Sequence, residues 1–355
     1  MNKENGNWTA LLLEWFDRNK RELPWREERP RNPYHVWISE IMLQQTRTET
    51  VKPYFESWKE RFPTISALAA ADESEVLHAW QGLGYYSRAR NIHKAAKEMV
   101  EKYGATLPQK KEEVRKLPGI GDYTAGAILS MAYGKKEAAV DGNVLRVYAR
   151  LYGVEADILK TAGRKEISYL VEQTLPERAG DFNEALMDLG AEICIPKHPH
   201  CDRCPLYRNC TAFKEGKTEE LPVRTPKKKQ KEFAACVAVV IKKGKVLLHL
   251  RPSKGMLASM WEFPAVLASD AEKGLKELER LVSGKAEEKI WEYTHVFTHR
   301  IWHMKAYIFK DIQVPAGDYQ WFSYEEYKKI PLAGPHAKLA AYIGSYMKND
   351  DFVDE

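Results

Sequence analysis

The sequence has no run of roughly 18 or more uninterrupted apolar residues, the length a membrane-spanning helix needs, so a helical membrane protein is excluded. Its start, Met1 to Thr9, is polar and lacks the charged-then-apolar layout of a secretion leader, which points to the cytoplasm and to no membrane partner. Cysteine is scarce: there are five among 355 residues, four of them between Cys194 and Cys210, with Cys236 apart in the apolar run Phe233 to Ile241. A reducing compartment argues against disulfides, so the four read as a metal site and Cys236 as a small core residue. Neither charge sign dominates. Lys and Arg number 55 against 50 Asp and Glu, and the resulting +5 permits a polyanionic partner without demanding one. No repeat at a fixed period is present.

What is present is an ordinary globular composition, 44% hydrophobic and 30% charged, in a chain too long for one core. Two domains are expected. From Trp8 to about Phe213 the apolar residues recur at helical spacing, as in Ile92, Ala95, Ala96, Met99 and Val100. A linker with two prolines and the run Lys227, Lys228, Lys229 follows. Beyond it, Phe233 to Ile241 and Lys245 to Leu250 read as a hairpin turned at Lys242, Lys243 and Gly244, with a helix over Lys273 to Val282 and further strands over Trp291 to Phe309. The predicted organisation is a multidomain chain: an all-α domain over 1–216, a linker over 217–231 and an α+β domain over 232–355.

The four cysteines are spaced Cys194-x6-Cys201-x2-Cys204-x5-Cys210, close enough to converge on one metal centre. Spacing alone leaves structural zinc and an iron-sulfur cluster equally open. Lys197, His198, His200, Arg203 and Arg208 in or beside the loop suit phosphates or merely a solvated face. Upstream, Leu117-Pro118-Gly119-Ile120-Gly121-Asp122-Tyr123-Thr124 leads into an apolar helix. Gly119 and Gly121 permit a tight turn with unshielded amides before a helix start, a phosphate-binding arrangement or an ordinary helix-helix turn.

Two carboxylates differ in setting. Glu40 lies in a helix read over Tyr34 to Thr46, among Val36, Trp37, Leu43 and Gln44, where an apolar environment favours the protonated acid. Asp141 opens a helix through Gly142 and Asn143, where the helix start favours the charged form. Cleaving a purine from its sugar needs such a pair: an acid for the leaving base and an anion for the sugar cation. An edge-of-core residue and a plain N-cap are the blander alternatives.

The cysteine loop is similar to the 4Fe-4S loop of the endonuclease III superfamily, and the glycine octet to its helix-hairpin-helix element. Ser39 to Thr46 and Ala139 to Val144 resemble signatures of the MutY family of adenine DNA glycosylases, in base excision repair. The resemblance implies a 4Fe-4S cluster on Cys194, Cys201, Cys204 and Cys210, and phosphate contacts at Gly119 and Gly121. It further implies that Glu40 protonates adenine N7 and that Asp141 stabilises the sugar cation, with Tyr123 and Asn143 positioning them. Bifunctional members carry a lysine where this chain has Tyr123, and a tyrosine forms no imine, so a monofunctional enzyme is implied. Trp25, Arg26 and Glu184 match the adenine pocket, although the run from Arg26 to Pro33 is slightly longer than in relatives. Gln45, Thr46 and Leu83 would contact the opposite base, and Tyr85 would wedge beside the lesion.

Val237 to Phe263 resembles the Nudix fold, but Ala265 to Gly284 lacks the glutamate pattern that holds magnesium there, so a recognition module is implied. Phe297-Thr298-His299 resembles the family's Phe-Ser-His loop for 8-oxoguanine, with Thr298 in the serine's place. The implied partner is double-stranded DNA with adenine opposite 8-oxoguanine or guanine, met by a monomer at the cytoplasmic nucleoid. A thymine or uracil glycosylase and a catalytically silent DNA-binding protein are the rival expectations.

Overall fold

The structure is a computed structural model that describes residues 8–27, 30–226 and 229–346. Lys227 and Lys228 of the basic run, and Met1 to Asn7, lie outside the described residues. The chain divides into two compact units, Met1–Ala71 with Ser87–Pro226, and Asp72–Tyr86 with Lys227–Glu355.

In chain order the helices are α1 (Trp8–Asn19), α2 (Pro33–Leu43), α3 (Thr48–Arg61), α4 (Ile65–Ala70), α5 (Glu73–Ala79), α6 (Ser87–Tyr103), α7 (Lys111–Val114), α8 (Asp122–Met131), α9 (Gly142–Tyr152), α10 (Thr161–Thr174), α11 (Ala179–Glu192) and α12 (Thr211–Lys214). All but α5 belong to the first unit, whose described residues form no strand. Its centre is built from α2, α8, α9 and α11. These helices are buried almost all round, as α2 is from Val36 to Met42; α2 and α8 accordingly read as nearly continuous apolar runs, whereas α9 also buries Arg146 and Arg150, and α11 buries Glu184 and Asp188. No helix among the described residues is long and apolar enough to cross a membrane.

Two boundaries differ from the sequence-based expectation. The helical unit runs on to Pro226 instead of stopping at 216, because part of the expected linker is bound to it. Arg150 Nε donates to Leu221 O at 2.8 Å, Ile158 N to Val223 O at 3.1 Å, and Thr225 N to Asp157 Oδ2 at 3.0 Å. Conversely, Asp72–Tyr86 clusters with the second unit, where Leu332 N donates to Gln81 Oε1 at 3.2 Å.

The second unit holds a mixed sheet of β1 (Lys231–Lys242), β2 (Lys245–Leu250), β3 (Trp261–Glu262), β4 (Ala265–Ala268), β5 (Lys289–Val296), β6 (Arg300–Phe309) and β7 (Tyr319–Ser323), with α13 (Ala271–Leu281), α14 (Tyr324–Tyr327) and α15 (Gly334–Tyr346). The order is β3-β2-β1-β6-β5, with β4 on β1 and β7 on β2. The expected hairpin is there, Ile241 opposite Val246 and Lys242 opposite Lys245, and Lys243 and Gly244 both take positive φ as a two-residue turn requires. Along β1, Ala235, Val237 and Val239 enter one core with Leu339 and Ile343 of α15. Cys236, Ala238 and Val240 enter the other with Leu278 of α13, so Cys236 is a core residue. A strand covered on both faces explains the unbroken apolar run that marked it in the sequence.

Candidate active site

A cavity of about 610 Å³ opens among the central helices of the first unit. Nine of the singled-out residues line it: Trp25, Arg26, Glu40, Gln45, Thr46, Tyr123, Asp141, Asn143 and Glu184. They come from five segments spread over about half the chain.

Glu40 sits one turn before the end of α2 and is 5% exposed. Burial pushes its carboxyl up to about 7; the Tyr123 hydroxyl opposes this by donating to Oε2, Glu184 and Asp141 add to it by like charge, and Arg26 opposes it. Tyr123, raised well above its usual value by burial and by Glu40, remains a donor across the neutral range. The upward shift expected from the helical neighbours is found and comes from burial, but the groups facing Glu40 in the cavity are polar and charged rather than apolar.

Asp141 is the N-cap of α9, its Oδ1 accepting from Asn143 N at 2.9 Å and Val144 N at 2.8 Å, while Asn143 Nδ2 donates to Oδ2 at 2.8 Å. The helix start was expected to hold Asp141 low. Instead its carboxyl is raised, because burial outweighs those three hydrogen bonds and the nearby Arg146. Asn143 is fixed in turn by Arg146, which donates to its Oδ1 at 2.9 Å and reaches Gly190 O at 2.6 Å and Cys194 O at 2.7 Å.

Arg26 does not stand free at the entry. It pairs with Glu184 at 2.9 Å and Asp188 at 2.7 Å, and Asp188 is also held by Arg21. Burial alone would raise Asp188, but Arg26 and Arg21 outweigh it and leave the carboxyl below its ordinary value. Arg31, Arg21 and Asp188 were not identified from the sequence. Partners separated by more than 150 residues leave no local signal.

The helix ends at Leu43, three residues short of the expected Thr46, leaving Gln44 to Thr46 as a turn in which Gln45 takes φ 58°. Arg88 of α6 substitutes for the missing helix, donating to Ile41 O, Met42 O and Gln44 O at 2.7 to 2.9 Å and to Thr46 Oγ1 at 3.2 Å. A non-glycine residue held at positive φ beside a cavity is strain that the surrounding bonds sustain.

Gly119 and Gly121 do not line the cavity; they form the turn into α8, with Gly121 as its N-cap. Gly119 has φ 79°, and a Cβ there would come within 2.7 Å of Asn91 Cβ, so its glycine is required. At Gly121 the space is open, which keeps the amide edge accessible.

In the second unit Leu83 is buried, while Tyr85 is 43% exposed at φ 48°, and its hydroxyl is hydrogen-bonded to that of Thr298. Phe297, Thr298 and His299 form the turn between β5 and β6, not a strand edge, with Phe297 N donating to Arg300 O at 2.9 Å.

Cys194, Cys201, Cys204 and Cys210 line a second, mostly apolar recess with Ile193, Pro199 and Phe213. Arg150 Nη1 donates to Cys194 Sγ at 3.4 Å, and Arg150 O accepts from Cys210 Sγ at 3.4 Å. Four soft donors around one recess, with a cation alongside, fit an iron-sulfur cluster or zinc. As they stand, no three His, Cys, Asp or Glu side chains among the described residues are gathered tightly enough to hold an ion.

Comparison with known proteins bears on what this cavity serves. Residues 38–173 match the HhH-GPD superfamily of base excision DNA repair proteins, and residues 236–342 the NUDIX domain. An adenine DNA glycosylase of Mus musculus is 34% identical, covering 89% of this chain and 74% of the mouse protein. One from Buchnera aphidicola (subsp. Schizaphis graminum) is 33% identical over 93% of this chain and 97% of its own. A trapped endonuclease III–DNA covalent intermediate superimposes with a TM-score of 0.51 at 26% identity, covering 59% of this chain and 94% of that one. Identity at this level over nearly the full length of the bacterial protein, in helical and Nudix parts alike, identifies the chain as a member of the adenine DNA glycosylase family, enzymes of base excision DNA repair.

Proposed function

We propose that the chain binds duplex DNA, everts an adenine lying opposite 8-oxoguanine or guanine, and hydrolyses its glycosidic bond without cutting the backbone. The observation that carries this is the shared cavity: Glu40, with a carboxyl titrating near neutrality, and Asp141, the N-cap of α9, face the same space. In this reading Glu40 gives its proton to N7, and the C1′–N9 bond breaks with its electron pair leaving on the base. Asp141 stabilises the sugar cation until water adds at C1′ and loses a proton to the ionised Glu40. Tyr123 keeps Glu40 oriented, and Asn143 does the same for Asp141. With no lysine at position 123, no imine forms there, and the sugar stays attached to both neighbours.

Duplex binding is supported by the likeness to an endonuclease III–DNA structure and by the Gly119 turn, whose amides at the start of α8 suit a phosphate. Recognition of the opposite base falls to Gln45, Thr46, Leu83, Tyr85 and the Phe297-Thr298-His299 turn. Cys194, Cys201, Cys204 and Cys210 would hold a 4Fe-4S cluster, which would pin the basic loop between them and supply no step in bond cleavage. The test is single-turnover release of adenine from an adenine:8-oxoguanine duplex. The native chain releases it, and Glu40→Gln binds the duplex but does not; release by that variant at the native rate refutes the assignment.

A further inference from the structure

Glu184 reaches the cavity wall from α11, and its carboxylate is gripped from behind. Arg31 Nη1 donates to Oε1 and Nη2 to Oε2, a two-point pairing in which both side chains are almost wholly buried, 3% and 4% exposed. Arg26 Nε shares Oε1 at 2.9 Å but sends its other nitrogens to Asp188. Arg31 is therefore the partner that engages both oxygens of Glu184. It does not line the cavity, and its Nε has no hydrogen-bond partner among the described residues. The backbone just after it is fixed as well: Asn32 caps α2, its side chain accepting from Tyr34 N at 2.9 Å, with Pro33 at the first helical position.

We infer that Arg31 is a positioning residue that aims Glu184 at the exocyclic amino group of the everted base, and so sets the cavity's preference for an amino-bearing purine without touching it. The inference rests on the reading of the cavity as an adenine site. An ionised carboxylate only accepts, and the adenine amino group is a donor. Arg31 takes a lone pair of each oxygen and Arg26 the second of Oε1, so the acceptor position these bonds leave to a bound base is on Oε2. A planar fork fixes the rotation of the carboxylate about its last bond; a lysine ammonium in its place keeps the charge but not that orientation.

The experiment compares single-turnover release of adenine and of unsubstituted purine, each opposite 8-oxoguanine, by the full-length chain and its Arg31→Lys and Arg31→Gln variants. Purine lacks the amino group, so a carboxylate built to accept from it favours adenine. Both variants are expected to slow adenine release, by about 100-fold for Gln, and to bring the adenine-to-purine ratio down towards one. General damage to the fold would slow both bases equally. Arg31→Lys decides the matter should the Gln variant fail to fold: a native ratio in Arg31→Lys overturns the inference. Failure of the adenine reading is distinguishable, since the native chain would then release no adenine.

Discussion

Tyr123 donates its hydroxyl to Glu40 Oε2 across the cavity, joining the start of α8 to the last turn of α2. This bond favours the ionised carboxylate and so pulls against the burial that raises it to about 7. Tyr123→Phe removes the pull, so Glu40 holds its proton to higher pH. If release needs that proton, the alkaline limb of the pH–rate profile moves upward in the variant, while the plateau falls because the carboxyl is less well aimed. Single-turnover rates from about pH 5 to about pH 9 read both effects. A limb that stays in place rules out Glu40 as the titrating acid.

The same burial makes Glu40 a cost to the fold. Its folded value lies above the value of a free carboxyl, so between about 4.5 and about 7 the unfolded chain has already lost a proton that the native state keeps. Stability from this group is thus present below that window and lost as the pH rises through it. A shift of this size corresponds to about 3 kcal/mol above neutrality. Glu40→Gln should therefore melt above the native chain at pH 8, with the gap closing towards pH 5. Equal melting temperatures at both pH values would place Glu40 in water in the folded state.

How much of this was legible beforehand follows from the range of each interaction. The protonated character of Glu40 was readable because its apolar neighbours lie three and four residues away on one helix. The N-cap at Asp141 was readable for the same reason, but its upward shift was not, since burial is supplied by other elements. The ion pairs behind the cavity join α11 to residues 21–31, and periodicity says nothing about them. The hairpin at Lys243 and Gly244 and the core position of Cys236 are local patterns and were visible. The hold on residues 221–225 was hidden, because prolines and charges read as linker whether or not a buried arginine waits for a carbonyl.

Gly190 offers a test of Asn143. A Cβ built on Gly190 in α11 falls 2.6 Å from Asn143 Cβ and 3.3 Å from its Cα. Gly190→Ala should push Asn143 off Asp141 Oδ2 and lower stability by about 1 to 3 kcal/mol, as overpacking does, even though alanine suits a helix better. The expected signature is a drop in single-turnover release with duplex affinity kept. Full activity in a folded Gly190→Ala variant would remove Asn143 from the positioning of Asp141.

The proposed cluster can be tested at the cysteine recess. Anaerobically purified protein should carry iron with acid-labile sulfide in equal amount, and removal of the metal should loosen the 194–210 loop while the helical signal of α1 to α11 persists. Limited proteolysis before and after metal removal reads the loop directly. Zinc without sulfide would replace the cluster with a single ion on the same four thiols.

The Tyr85–Thr298 hydroxyl contact ties the expected wedge residue to the expected opposite-base reader within one compact unit, and Gln230 Nε2 braces the turn by donating to the Phe297 and Thr298 carbonyls. Thr298→Val keeps the side chain's shape and removes its only hydrogen-bonding group. Adenine release opposite 8-oxoguanine should fall about 10-fold, the scale of one hydrogen bond, while release opposite guanine changes little. Thr298→Ser, which keeps the hydroxyl, should retain the native ratio of the two rates. A native ratio in Thr298→Val would assign the choice of opposite base to the Gln45 and Thr46 turn, which Arg88 holds through Gln44 O and Thr46 Oγ1.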